Sequence, residues 1–130
     1  MNRIFARMRE FATEVLEARE VEAHFHFDEE ANNIILNMEQ RRDIFLIFKE
    51  SINNIAKYAN ATEVDIKVTY KAPVLLLVVK DNGKGFDIEK ADNGNGLNNM
   101  QKRAEKLKAK YSITSQLNAG TIITLQMQIT

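Results

Sequence analysis

The stretch Val74-Leu75-Leu76-Leu77-Val78-Val79 is an unbroken apolar run that follows the chain's single proline, Pro73, and ends at Lys80-Asp81. A run of strand length with no polar alternation predicts a central strand buried on both faces, and a central strand needs neighbours to complete its backbone hydrogen bonds. The chain supplies them. Val21 to Phe27 alternates with period two, placing Val21, Ala23, Phe25 and Phe27 toward a core and His24 and His26 away from it. Val64, Ile66, Val68 and Tyr70 alternate in the same way, and two more strands, 111–117 and 121–129, flank a turn at Asn118-Ala119-Gly120. Three segments instead follow the helical period. They are residues 2–19, 39–60 (with Ile44, Phe48, Ser51, Ile52, Ile55 and Ala59 as the buried stripe), and a helix from Gly96 carrying Leu97, Met100, Ala104 and Leu107. This order predicts a two-layer α/β sandwich, a mixed sheet with helices on one face.

Composition sets limits. At 130 residues and 45% hydrophobic content the chain can build one core without staples, and the absence of cysteine removes disulfides and thiolate metal sites. Two histidines are too few for a zinc site by themselves. Lys plus Arg and Asp plus Glu are both 18, giving zero formal net charge, which argues against a nucleic-acid binder. No stretch approaches the roughly 20 apolar residues that span a bilayer, so no direct membrane contact is expected of this segment.

All five glycines lie between residues 83 and 120, and four of them form Asp81-Asn82-Gly83-Lys84-Gly85 and Gly94-Asn95-Gly96-Leu97. Glycine permits positive φ and close approach, so two such clusters suggest a loop folded around a ligand, a nucleotide by preference. Asp81 stands at the end of the central strand, where ligands of open α/β sheets gather, and its carboxylate can accept from a base amino group. Gly83 and Gly85 would let the backbone pass beneath a planar base. Gly94 and Gly96 precede a helix start, whose free N–H groups attract phosphate. Taken singly, Asp-Asn-Gly also fits a tight turn. The segment between the clusters, 86–93, is polar and is expected to be mobile without ligand. On the long helix Glu50, Asn54 and Lys57, spaced i, i+4, i+7, share a face opposite the apolar stripe; a plain solvated face is the alternative.

Taken together, Glu50-Ser51-Ile52-Asn53-Asn54-Ile55-Ala56-Lys57-Tyr58, Asp81-x-Gly83-x-Gly85, Gly94-x-Gly96-Leu97 and Gly120-Thr121 resemble the ATP-binding domain of sensor histidine kinases, within the gyrase, Hsp90, histidine kinase and MutL superfamily. The string from Gly96 to Ala104 is similar to the nitrate-sensor subfamily. The resemblance implies a Bergerat-type ATP-binding fold and an ATP-dependent protein histidine kinase with ATP and Mg²⁺ as cofactors. It implies that Asn54 holds Mg²⁺, that Asp81 binds the adenine amino group, that Lys57 and Tyr58 sit near phosphates and ribose, and that Thr121 contacts the base side. Gly83, Gly85, Gly94, Gly96 and Leu97 would complete the ATP site. Glu50 matches a residue that activates water in hydrolysing members; its role in kinases is not assigned by the likeness. Tyr58 stands where this subfamily commonly has His, so no proton relay is carried over to it.

Such a kinase phosphorylates a histidine on a dimerising helix, typically followed by an acidic residue. His24 and His26 are each followed by Phe on a predicted strand and do not fit. The expected organisation is therefore a helix over 1–20 leading in from an upstream dimerisation region, then an ATP-binding catalytic domain over 21–130. The expected partners are that histidine-bearing domain and a response regulator, in a homodimeric full-length protein. The expected location is the cytoplasm, with a membrane-anchored sensor as one form. Two alternatives stand beside this: a serine kinase of the anti-sigma-factor type, and a nucleotide-binding scaffold without transfer activity.

Overall fold

A computed structural model describes residues 2–85 and 95–129, with side chains over 2–85 and 99–129. The elements run α1 (Arg3–Glu17), β1 (Glu22–Phe27), a 3₁₀ turn (Glu29–Asn33), α2 (Met38–Asn54), a π-helical segment (Ile55–Ala59), β2 (Glu63–Lys71), β3 (Val74–Asp81), α3 (Asn95–Lys106), β4 (Lys110–Ser115) and β5 (Thr121–Gln128). The polar stretch between β1 and α2 thus holds a 3₁₀ turn. Two asparagines start the first two helices: Asn2 accepts from the Ile4 amide, and Asn37 forms a reciprocal capping box with Gln40.

The sheet order is β1-β2-β3-β5-β4, with β1 parallel to β2 and every other pair antiparallel. β1 and β2 are parallel because α2 carries the chain back between them, whereas β2–β3 and β4–β5 are short hairpins. Helices α1 and α2 pack together, α1 against β1, and α3 against α2 and β4. One core results. α1 contributes Ile4, Phe5, Met8, Ala12 and Leu16; α2 contributes Ile44, Ile47, Phe48 and Ile52; and the strands contribute alternate residues such as Val64, Ile66, Leu75, Leu77, Ile123 and Leu125.

β3 is central, as its apolar run predicts, but it is buried on one face only. Leu75, Leu77 and Val79 are buried, while Val74, Leu76 and Val78 are half-exposed. The described helices cover a single face, and on the other the neighbours of Leu76 and Val78 are Thr69, Lys67, Gln126 and Thr124, whose side chains shield the apolar stripe only in part. His24 and His26 stand on this outer side of the edge strand β1, with β2 between them and β3.

The long helix also differs from its expected form. Regular α geometry ends at Asn54, a π segment follows, and Asn60 closes it in the left-handed conformation at φ 51°. The stripe through Ile55 and Ala59 stays buried, yet Lys57 lies past the change of pitch, so uniform 100° spacing does not set its direction.

Candidate functional site

Asp81 is the last residue of β3 and points to the helix side, 3% exposed. Its Oδ1 accepts the Gly83 amide at 2.8 Å, and its Oδ2 is buried without a hydrogen-bond partner. Burial raises its pKa above 3.8, and the Gly83 and Thr121 amides oppose part of that shift. A buried, unpartnered carboxylate oxygen costs free energy unless a donor reaches it, so this atom is an open acceptor that an incoming N–H could satisfy.

Strand register extends the site. Asp81 lies opposite Thr121, and Thr121 opposite Ser115, so three polar side chains cross β3, β5 and β4 in a row. Thr121 is 5% exposed and its hydroxyl meets the Ser115 hydroxyl at 2.8 Å. Ser115 was not legible as a site neighbour by motif; only the β4–β5 register, with a turn over 116–120, places it there.

The glycines around Asp81 answer to the protein's own packing. A Cβ on Gly83 would sit 2.2 Å from the Ala59 carbonyl oxygen at the end of the π segment, the same oxygen that accepts the Lys84 amide at 2.8 Å. Gly85 has φ +66° and a Cβ there would lie 1.9 Å from the Gln116 carbonyl oxygen. Both residues therefore let the Asp81 loop press against the π segment on one side and the β4–β5 turn on the other. The Asn118 amide donates to the Lys84 carbonyl across the second contact.

Asn82, which the sequence marks only as part of a turn, is a staple. Its Oδ1 accepts the Thr62 and Glu63 amides, each at 2.9 Å, and its Nδ2 donates to Thr62 Oγ1 at 2.9 Å. These bonds tie the loop after β3 to the start of β2. Asn82→Ala is expected to lower stability by about 1–2 kcal/mol, because each exposed bond contributes about 0.5–1 kcal/mol net. Urea unfolding with an unchanged m-value checks it.

Of the long-helix residues, Glu50 and Asn54 are half-buried and Lys57 and Tyr58 are exposed, Tyr58 at 66%. Glu50 lines a cleft of about 440 Å³ between α2 and α3, together with Asn53, Asn99 and Arg103. Asn54 stands one turn after Glu50 on the regular α-helix, Lys57 lies past the change of pitch, and neither Asn54 nor Lys57 is among the described residues lining that cleft. The Glu50 charge, after burial, helps push the buried Tyr111 phenol well above its ordinary pKa of 10.0, so Tyr111 stays neutral through the working range. Gly96 is the second residue of α3. Gly94, the segment 86–93 and the Leu97 side chain lie outside the described residues.

Among the described residues no helix is long and apolar enough to cross a membrane. The fold is that of solved histidine kinase domains. The structure is similar to the histidine kinase domain of the Erythrobacter litoralis EL346 blue-light activated histidine kinase, with TM-score 0.81 at 18% identity, covering 97% of this chain and 61% of that one. It is similar to the Acinetobacter baumannii histidine kinase AdeS, with TM-score 0.78 at 19% identity, over 96% and 64% of the two chains. In sequence it is 40% identical over 81 residues to the sensor protein VraS of Staphylococcus aureus, covering 62% of this chain and 23% of that protein. It is 36% identical over 88 residues to the signal transduction histidine-protein kinase/phosphatase DegS of Brevibacillus brevis, covering 67% and 23%. The chain thus spans about a quarter of the length of these relatives. The profile described as histidine kinase-, DNA gyrase B- and HSP90-like ATPase matches residues 39–130, more than half of the chain, and the chain belongs to that family.

Proposed function

We propose that this chain is the catalytic ATP-binding domain of a two-component sensor histidine kinase, binding Mg-ATP and donating its γ-phosphoryl group to a histidine on a separate dimerisation domain. The observation that carries the reading is the buried Oδ2 of Asp81, an acceptor with no partner inside the protein, at the end of the central strand of a family ATPase fold. Adenine offers an exocyclic amino donor of matching sign. Thr121, beside Asp81 on the neighbouring strand, presents a hydroxyl to the same end of the base.

Asn54 ends α2, and its amide oxygen, with the Glu50 carboxylate one turn earlier, offers the hard oxygen ligands that Mg²⁺ takes. The bound ion would supply charge neutralisation to the phosphates. Lys57, exposed beyond the π transition, would bring a further positive charge, and Tyr58 would face the ribose. The first turn of α3, with Gly96, offers unpaired backbone N–H groups to the phosphates, and Gly94 and Leu97 would adjoin it. Phosphoryl transfer depends mainly on positioning and charge neutralisation, and these groups provide both.

The acceptor is placed elsewhere because His24 and His26 stand on the outer side of an edge strand, with β2 between them and the strand of Asp81. In this reading residues 1–20 lead in from a dimerisation region and 21–130 form the catalytic domain. The whole protein is a homodimer that works in the cytoplasm, alone or below a membrane sensor, and passes its phosphoryl group to a response regulator. Asn54→Ala is expected to lose the Mg²⁺-dependent part of ATP affinity, tenfold or more, while keeping the weaker metal-free binding. Calorimetry with and without Mg²⁺ checks this, and an intact chain that binds no ATP would instead favour a scaffold.

A further inference from the structure

α3 carries the backbone groups that the proposed function assigns to the phosphates, and its described side chains hold it in place from the second and third turns. Met100, 1% exposed, receives the Ser51 hydroxyl at 3.6 Å and the Tyr111 hydroxyl at 3.5 Å on its sulfur. Arg103, one turn later, reaches Asp43 on α2.

Asp43 is 0% exposed, and sequence periodicity alone does not distinguish it from a surface acid. Its Oδ1 takes Arg42 Nε at 3.3 Å and Arg103 Nη1 at 3.5 Å, while its Oδ2 is buried with no partner. Both contacts are longer than the 2.7–2.9 Å of a charge-assisted bond, and both fall on the same oxygen. A guanidinium can grip both oxygens of a carboxylate at once, so the free Oδ2 is the second prong of a pair that is only half made. The open cleft between α2 and α3, lined by Glu50, Asn53, Asn99 and Arg103 among others, leaves space for α3 to move the necessary fraction of an ångström. Arg103 stands seven residues from Gly96, about 10 Å along a rigid helix, so a shift at one end is carried to the other.

We propose that Asp43 and Arg103 form a latch between α2 and α3 that closes to a two-pronged ion pair when a nucleoside triphosphate places its phosphates against the first turn of α3. This rests on the Mg-ATP reading above. Asp43 and Arg103 touch neither base nor phosphate; they are positioning residues, and by linkage the factor by which phosphate tightens the pair is the factor by which the pair tightens phosphate.

The test is calorimetric titration with Mg-ATP and, separately, with adenosine, on the unaltered chain, Asp43→Asn, Arg103→Gln, Arg103→Lys and the Asp43→Asn/Arg103→Gln double variant. Thermal midpoints without nucleotide are recorded for each. Each single loss is expected to weaken Mg-ATP about tenfold, within the usual range of coupling between sites. The double variant should be no weaker than either single one, Arg103→Lys should fall between, and adenosine affinity should not move. Mg-ATP affinity unchanged in Arg103→Gln, or losses that multiply in the double variant, or an equal loss for adenosine, would overturn the latch. Arg103 is 39% exposed, so its variants remain informative even where Asp43→Asn does not fold. An unaltered chain that binds adenosine and Mg-ATP not at all would overturn the Mg-ATP reading itself and the latch with it.

Discussion

Asp81→Asn is expected to weaken ATP binding by about 10- to 150-fold, which corresponds to the 1.5–3 kcal/mol of a hydrogen bond to a charged acceptor. The same change should leave the nucleotide-free protein at least as stable at pH 7. The sign follows from Asp81's burial. Its carboxyl is held above 3.8, the value it has in the unfolded chain, because burial disfavours the charge. The folded state therefore holds the proton more tightly, and the stability this gives is fully present below pH 3.8 and lost as pH rises through the higher folded value. Asparagine keeps an oxygen for the Gly83 amide and carries no charge, so its advantage should appear above that window and vanish below it. Thermal unfolding of both proteins from pH 3 to pH 7 checks this, and an Asn variant less stable than its parent at pH 7 would refute it. In the proposed reading, function and stability are opposed at this residue, because an acceptor reserved for a ligand is an unsatisfied buried group without one.

Gly85→Ala should be the most damaging single methyl addition described here, with a loss of about 3 kcal/mol or more. The left-handed conformation at φ +66° costs a residue with a Cβ about 1–2 kcal/mol. In addition the new atom would lie 1.9 Å from a backbone oxygen, that of Gln116, which cannot rotate away as a side chain could. For a chain of this size that corresponds to a fall in thermal midpoint on the order of 10 °C. Calorimetric melting without nucleotide is the measurement; a midpoint within 2 °C or so of the parent would show that the loop and the β4–β5 turn separate freely. ATP should restore part of the loss by mass action if the variant still binds it.

The two experiments also separate two meanings of the same motif. In sequence, Asp81-x-Gly83-x-Gly85 suggests a carboxylate for the base and glycines that make room for it. In the structure the carboxylate has one buried oxygen with no partner, open to a donor, whereas the nearest obstacles to a side chain at Gly83 and Gly85 are carbonyls of Ala59 and Gln116. A motif read as ligand contact thus includes residues that serve by holding the loop against its neighbours.

Periodicity by itself determined most of the layer structure: which segments are helix and which are strand. Those features follow from side-chain direction, which repeats every two residues in a strand and about every 3.6 in a helix and needs no knowledge of the partner. The motif order determined the family for the same reason, since each motif is local. What depends on distant partners was decided only by the tertiary structure. Val74, Leu76 and Val78 look buried in the string but are half-exposed, because coverage depends on whether a second helix layer exists. The change of helical pitch after Asn54, which takes Lys57 off the uniform spacing from Glu50, falls where the segment meets the Asp81 loop through Ala59. Asp43, in a segment whose local sequence reads as helix surface, is fully buried because a helix sixty residues later brings Arg103 to it. Charge pairs, strand register and backbone collisions are relations between segments, and a one-dimensional pattern contains only one side of each.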